Sequence, residues 1–300
     1  MNFCMHGWPD ESRLNDVLLP YYQVRGDLTV IDGLLLRETR LVIPASLRLD
    51  ILEKIHEGHM GIVKCRSRAR SSVWWPYMDK QVEEVCKSCP SCCEFSQTKT
   101  QPLIPSEYPE YLLAVDYFSR WTEIALLQDT TSLTVINHLK SVIAKYGIPE
   151  VIISDNGPQY ASGEFSKFAE EYGFCHITTS PCYAQCNGEA ERVVQTIKNL
   201  LKRTKDPYMA LLNYRSTALK NGYSPSELLM GRKLRTKLPV YSSKLIPKWP
   251  NMDELQNKEV GDKMKQKMHF DKRHRAQNME KLQIGDHAWI KDGLQKSKVL

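Results

Sequence analysis

Two pairs of soft ligands stand out in this chain: His56-Glu-Gly-His59 and, after 29 intervening residues, Cys89-Pro-Ser-Cys92. Imidazole nitrogens and thiolates in two close pairs are the donor set of a tetrahedral structural zinc ion. Two histidines three apart can share one face at a helix end, and two cysteines separated by two residues form a knuckle whose sulfurs converge. Either pair alone reads equally well as surface histidines or buried thiols. Together, after a helical stretch and before a linker, they point to metal. Cys86 and Cys93 are rival ligands, because Cys86, Cys89 and Cys92 are evenly spaced, whereas Cys65 reads as packing. A stretch this short cannot bury a large core unaided, so the ion would supply folding energy.

A second constellation is acidic. Asp155 closes the apolar run Val151–Ser154, and Glu191, with 35 residues between, lies in the first turn of a helical stretch that Asn187 can cap. The C-terminal ends of strands in α/β sheets are where sites assemble. Phosphoryl transfer with two metals needs carboxylates that hold the cations about 3.5–4 Å apart. Glu191, Gln195, Lys198 and Lys202 fall on one helix face, and Arg192 and Arg203 add charge to the same helix. A carboxylate at the head of a basic face suits a metal ion beside a phosphate. One Asp and one Glu at this distance equally describe a turn residue and an acid satisfying a helix dipole.

The elements that must position these residues follow from patterning. Residues 1–44 carry short β-like runs, with Asp32-Gly33 as a hairpin signal. Residues 45–95 read as helical, with Leu47, Ile51 and Ile55 on one face, and Trp74-Trp75-Pro76 packs the loop between the ligand pairs. Residues 96–110 form a polar linker with three prolines. Residues 111–240 alternate strands (111–117, 151–154, 174–179) with helices (133–146, 162–172, 189–203), which predicts a parallel or mixed sheet covered by helices. Residues 241–281 read as a linker and a charged helix, and 282–292 as a strand pattern.

Composition bounds the rest. The chain has 300 residues, 42% of them apolar and 25% charged, so wholesale disorder is not expected. Nine cysteines, an odd number, and no basic segment followed by an apolar core at the N-terminus argue against a secretory disulfide framework. Apolar runs such as Tyr111–Val115 fall far short of the roughly 18 residues that span a bilayer, so no membrane partner is expected. The net charge is +6, but residues 192–237 hold 11 Lys and Arg against only Asp206 and Glu227. With Lys64, Arg66, Arg68 and Arg70, and the basic stretch 263–281, this favours phosphate-backbone contact with weak sequence preference. Tyr214 and Tyr223 read as core rather than as base-stacking residues.

These strings resemble a known family. His56-Glu-Gly-His59, Trp74-Trp75-Pro76, Cys89-Pro-Ser-Cys92, Val115-Asp-Tyr-Phe-Ser-Arg120, Ser154-Asp-Asn-Gly157, Asn187-Gly-Glu-Ala-Glu-Arg192 and Ser224-Pro-Ser-Glu-Leu-Leu-Met-Gly231 occur in the order found in gypsy-like integrases of long-terminal-repeat retrotransposons. The resemblance implies a small helical His-His-Cys-Cys zinc domain (His56, His59, Cys89, Cys92), an α/β ribonuclease H-like core and a basic C-terminal region. It implies joining of element DNA ends to target DNA with Mg²⁺ or Mn²⁺ and three acidic residues, in multimers acting in the nucleus, with the cytoplasm also compatible.

Asp155 matches the second acidic position and Glu191 the third. The first has no match, because Pro105-Ser-Glu-Tyr-Pro-Glu110 runs directly into Tyr111–Val115, and the family's first core strand is missing. Asp116, read as lying inside a strand, is expected to be structural. Arg192, Gln195, Lys198, Lys202 and Arg203 are the expected DNA contacts. The expectation is an integrase-like nucleic-acid-binding chain with impaired polynucleotidyl transfer; the alternative is a non-catalytic domesticated remnant that binds DNA or protein. The pattern of residues 282–291 is similar to the first strand of the family's small C-terminal barrel, which cannot close in the nine residues that follow.

Overall fold

A computed structural model describes residues 1–96, 111–179, 188–204, 206–274, 287–290 and 295–298. It divides into two compact units, Met1–Pro250 and Asn251–Leu300.

The first unit opens with two short helices, α1 (Asn2–His6) and α2 (Leu19–Tyr22), and a hairpin of β1 (Leu28–Ile31) and β2 (Leu34–Arg37). Asp32 and Gly33 both have positive φ, 52° and 73°, the backbone of a two-residue turn whose twist matches its strands. The turn sets Ile31 opposite Leu34. β3 (Arg40–Val42) adds antiparallel to β2, and β4 (Val73–Trp74) adds parallel to β3, with Leu41 opposite Val73. Trp74 is thus a strand residue, and Trp75 is buried with its indole N–H donating to Gln81 Oε1 at 2.6 Å.

Helices α3 (Arg48–His56), α4 (Ile62–Ser72), α5 (Met78–Ser88) and α6 (Pro90–Ser96) complete this region. Ile51, Leu52, Ile55, Cys65, Ala69, Val82 and Cys86 share one core with Ile43 and Trp75. Leu47 is 51% exposed and not part of the predicted face, because it belongs to a 3₁₀ turn and the α-helical register starts at Arg48. Leu238 enters the same core, and Lys244 Nζ donates to the Ser71 carbonyl at 2.6 Å. Part of the expected linker at 241–250 therefore packs back on α4.

Further along the unit come β5 (Tyr111–Val115), β6 (Thr122–Leu126), α7 (Ser132–Tyr146), β7 (Val151–Ser154), α8 (Gly163–Tyr172), β8 (Cys175–Thr178), α9 (Gly188–Arg203), α10 (Pro207–Ser216) and α11 (Pro225–Met230). Thr131 and Ser162 cap α7 and α8 by accepting from Thr134 N and Phe165 N. Along β5, residues point alternately to two cores. Leu112 joins Val135, Ile136, Leu139 and Phe165 beneath α7 and α8, while Leu113 and Val115 pack on Val193, Ile197 and Tyr214 of α9 and α10.

The sheet differs from the sequence reading. β5 pairs antiparallel with β6, β7 pairs parallel with β8, and among the described residues no strand joins the two ladders. Pro105–Glu110, the stretch on which the reading of a missing first strand rests, lies outside the described residues. The second unit holds α12 (Met252–His274) and a hairpin of β9 (His287–Ile290) and β10 (Gln295–Lys298). No described helix is long and apolar enough to cross a membrane.

Candidate metal centre

α3 ends at His56, and the chain turns so that His59 N donates to the His56 carbonyl at 2.8 Å. His59 itself has φ +46°, a left-handed conformation that costs a residue with a Cβ about 1 kcal/mol or more. The turn brings the two imidazoles edge to face, with ring centroids 4.7 Å apart. The knuckle at the junction of α5 and α6 supplies the sulfurs. His59 Nδ1 lies 3.2 Å from His56 Nε2, 3.4 Å from Cys89 Sγ and 3.6 Å from Cys92 Sγ. Cys92 Sγ is 3.5 Å from His56 Nε2. Zinc bonds of about 2.05 Å to nitrogen and 2.3 Å to sulfur at tetrahedral angles separate N···N by about 3.3 Å and N···S by about 3.6 Å. Four of the six separations among these ligand atoms therefore match the edges of a zinc tetrahedron, and all four atoms lie within 4.8 Å of one another.

Burial and the neighbouring His59 lower the pKa of His56 below the ordinary 6.5, and burial and Arg203 lower that of His59. Both rings are neutral at neutral pH, the form that ligates metal. Burial and the adjacent Cys89 and Cys86 thiols push Cys92 up to about 12. Without a cation Cys92 holds its thiol proton, so metal capture must release it and weakens in acid.

The rival cysteines separate cleanly. Cys93 is exposed and its thiol donates to the Lys87 carbonyl at 3.0 Å, away from the cluster. Cys86 faces the other side of the His56 ring, its sulfur 3.3 Å from Nδ1, and Cys65 stands 3.9 Å from the same nitrogen. Cys65 reads as packing from the sequence, and it is indeed wholly buried, but it also belongs to this polar layer.

The basic run 64–70 does not form a free phosphate-binding surface. Lys64 Nζ lies 5.6 Å from the centre of the Tyr214 ring, Arg66 pairs with Glu83, Arg68 is buried, and Arg70 pairs with Asp79. α4 spends these charges on its own neighbours. Tyr214 is core, its hydroxyl donating to the Arg120 carbonyl at 3.1 Å.

The acidic constellation is less assembled. Asp155 is exposed just past β7, and its Oδ1 accepts from Gly157 N at 3.1 Å. Glu191 sits on the backbone of α9, and its side chain lies outside the described residues, as does Asn187. Asp116 is not inside a strand: β5 ends at Val115, and Asp116 opens the turn to β6. Its Oδ2 accepts from Ser119 N at 2.7 Å and Ser119 Oγ at 2.6 Å, which occupies the carboxylate structurally.

Along α9, Val193, Ile197 and Leu200 face the core, while Arg192, Gln195, Lys198 and Lys202 are exposed. Gln195 donates to Asn199 Oδ1 at 3.1 Å. Arg203 departs from that group. A helix advances about 100° per residue, so it is rotated away from Lys202, and its guanidinium donates to the His59 carbonyl at 3.3 Å.

The family described as the Integrase zinc binding domain matches residues 43–98, and the Integrase core domain matches residues 104–184. This is a mixed α/β chain with an integrase zinc-binding domain followed by a ribonuclease H-like integrase core. Its relatives are retroelement polyproteins and their kin. The uncharacterized protein K02A2.6 of Caenorhabditis elegans is 33% identical over 73% of this chain and 20% of its own length. The transposon Tf2-3 polyprotein of Schizosaccharomyces pombe is 26% identical over 60% of this chain and 16% of its own. The chain thus spans a fifth or less of the curated relatives it matches. Its integrase-like character is of retroelement origin. The HTLV-2 integrase catalytic core domain in complex with magnesium is a loose structural match, 26% identical over 42% of this chain and 88% of that one, with a TM-score of 0.34.

Proposed function

We propose that this chain is a zinc-organised, DNA-contacting integrase derivative with little or no strand-transfer activity. His56 Nε2, His59 Nδ1, Cys89 Sγ and Cys92 Sγ hold one structural zinc ion. The exposed side chains of Arg192, Gln195, Lys198 and Lys202 meet the DNA backbone with weak sequence preference, and Arg203 acts indirectly by tying α9 to the zinc cluster. The observation that carries this reading is the tetrahedral spacing of the four ligand atoms. The zinc-binding region and α9 meet through the bond from Arg203 to His59, so the ion braces the helix that carries the basic face.

Asp155 and Glu191 are the residues that would hold Mg²⁺ or Mn²⁺, which would neutralise charge on the attacking and leaving phosphate oxygens. Asp116 is committed to its own turn and does not complete the clamp. Binding without efficient joining, by multimers on nuclear DNA, is the outcome this favours.

Two measurements test the reading. Anisotropy of a labelled duplex should show salt-dependent binding, and Lys198→Glu with Lys202→Glu should weaken it and flatten the slope of log K against log salt by about 2. Unchanged binding would remove the α9 face. In a Mg²⁺- or Mn²⁺-dependent joining assay, robust product abolished by Asp155→Ala would overturn the loss of catalysis.

A further inference from the structure

His56 is shared between two clusters. Its Nε2 faces His59 and Cys92, and its Nδ1 faces Cys86 Sγ at 3.3 Å and Cys65 Sγ at 3.9 Å. In this second set, one ligand atom each from His56, Cys65 and Cys86 lies within 4.8 Å of the others, and all three residues are buried. A metal-bound histidine ordinarily donates its second N–H to a carboxylate, a carbonyl or water. Here that nitrogen meets two sulfurs instead, and those sulfurs are themselves ligands for soft cations.

A second observation points the same way. Arg68 is 4% exposed, and among the described residues its Nε and both terminal nitrogens have no hydrogen-bond partner, although its charge acts on the Cys65 thiol and on the Glu57 carboxylate, which Lys237 also pairs. A buried guanidinium with all its donors idle is costly unless negative charge arrives beside it. Counting charges shows what arrives. Two divalent ions, four cysteine thiolates and one imidazolate sum to −1, which Arg68 brings to zero. One divalent ion on Cys89, Cys92 and two neutral histidines is already neutral and adds no negative charge beside Arg68.

We infer that Cys65 Sγ, Cys86 Sγ and His56 Nδ1 form a second, thiophilic metal site for a divalent d¹⁰ ion such as Zn²⁺ or Cd²⁺, joined to the first through the His56 imidazolate. Filling it releases three protons: two from the thiols and the remaining ring proton of His56. The separations agree with such a site, since metal bonds of about 2.0 Å to nitrogen and 2.3 Å to sulfur at trigonal to tetrahedral angles place N···S at about 3.6 Å, between the two observed values. The site lies within the core formed by α3, α4 and α5, so it can fill only by capture during folding or by local opening.

This inference rests on the zinc reading for its shared histidine, and the experiment separates the two. The full chain, with Cys4, Cys93, Cys175, Cys182 and Cys186 as serine, is refolded anaerobically with ¹¹³Cd²⁺ and freed of loose metal on a weak chelating resin. Two cadmium ions per chain and two ¹¹³Cd resonances are expected, without any change to either cluster. Cys65→Ser with Cys86→Ser should leave one ion and one resonance, and Cys89→Ser with Cys92→Ser, which also unfolds the helices that build the second site, should leave none. One ion lost only with Cys89 and Cys92 overturns the second site while keeping the first. One ion lost only with Cys65 and Cys86 overturns the first. A chain with both clusters intact that retains none overturns both.

Discussion

The two polar constellations of this chain are built in opposite ways. At the His/Cys cluster, four ligand atoms from the end of α3 and the α5–α6 junction lie within 4.8 Å of one another, four of their separations at 3.2–3.6 Å, above a shared apolar core. At the acidic constellation, Asp155 is exposed with one local hydrogen bond, and Asp116 is occupied by its own turn. The first depends on two short local motifs docked by one helix packing. The second depends on a sheet that has to bring residues from distant strands together, and among the described residues the β5–β6 and β7–β8 ladders are joined by no strand. A site made from local pieces survives changes elsewhere in the chain; one made by long-range strand order does not.

The sharpest test of that contrast is removal of zinc. Apparent binding free energies for structural zinc are about 10–16 kcal/mol, comparable to the whole stability of a domain at about 5–15 kcal/mol. Chelation, or Cys89→Ser with Cys92→Ser, should therefore melt α3 to α6. Far-UV circular dichroism should lose the corresponding helix signal, and limited proteolysis should open within residues 45–95. Helices that persist unchanged in chelator would put the cluster on the same footing as the acidic one.

The core beneath α7 and α8 should respond through packing alone. Phe165 is wholly buried and touches Phe168, Phe174 and Tyr160 rings at centroid distances of 5.8, 6.5 and 5.4 Å. Phe165→Ala should cost about 3–5 kcal/mol, read as a drop in denaturation midpoint, with the metal content unchanged.

How far the sequence carried can be judged residue by residue. The His56-Glu-Gly-His59 and Cys89-Pro-Ser-Cys92 pairs were legible because each is set by local chain geometry, a helix end and a knuckle. Cys65 and Cys86 were not legible as a pair, because only the packing of α4 and α5 against α3 brings both sulfurs to His56 Nδ1. The basic run 64–70 reads as a surface patch because spacing carries no record of Glu83 and Asp79 across the α4–α5 contact. Asp116 was assigned to a strand that ends one residue earlier, a boundary set by the Ser119 turn. The polar, proline-containing stretch after Tyr241 reads as a linker, yet it is held to α4 by Lys244.

A charge network on β6 gives the next prediction. Glu123 on β6 accepts from Tyr146 Oη at 2.6 Å and Trp121 Nε1 at 2.9 Å, and lies 3.2 Å from Arg215. Burial works to raise its pKa, but these donors and Arg215 with Lys145 together hold it below the ordinary 4.5. A carboxyl with a depressed folded pKa binds fewer protons folded than unfolded. Its stabilising effect is complete above pH 4.5 and is lost as the pH falls through the lower folded value. Glu123→Gln should cost about 1–3 kcal/mol near neutral pH. It should also flatten the acid limb of the stability profile below pH 4.5, measured by urea denaturation in zinc-containing buffer.

The smallest effect belongs to Asp155 and marks the far end of the comparison. Among the described residues its carboxylate makes one exposed hydrogen bond, to Gly157 N at 3.1 Å, an Asx-type turn contact at the strand end. A bond of that kind contributes about 0.5–1.5 kcal/mol at most when its acceptor is wet on both sides of folding. Asp155→Ala should therefore shift the urea midpoint only slightly and leave zinc stoichiometry and helix content as they are. A loss of several kcal/mol would mean that Asp155 is braced by more than its turn, and that the acidic constellation is as deeply embedded in the fold as the cysteine knuckle.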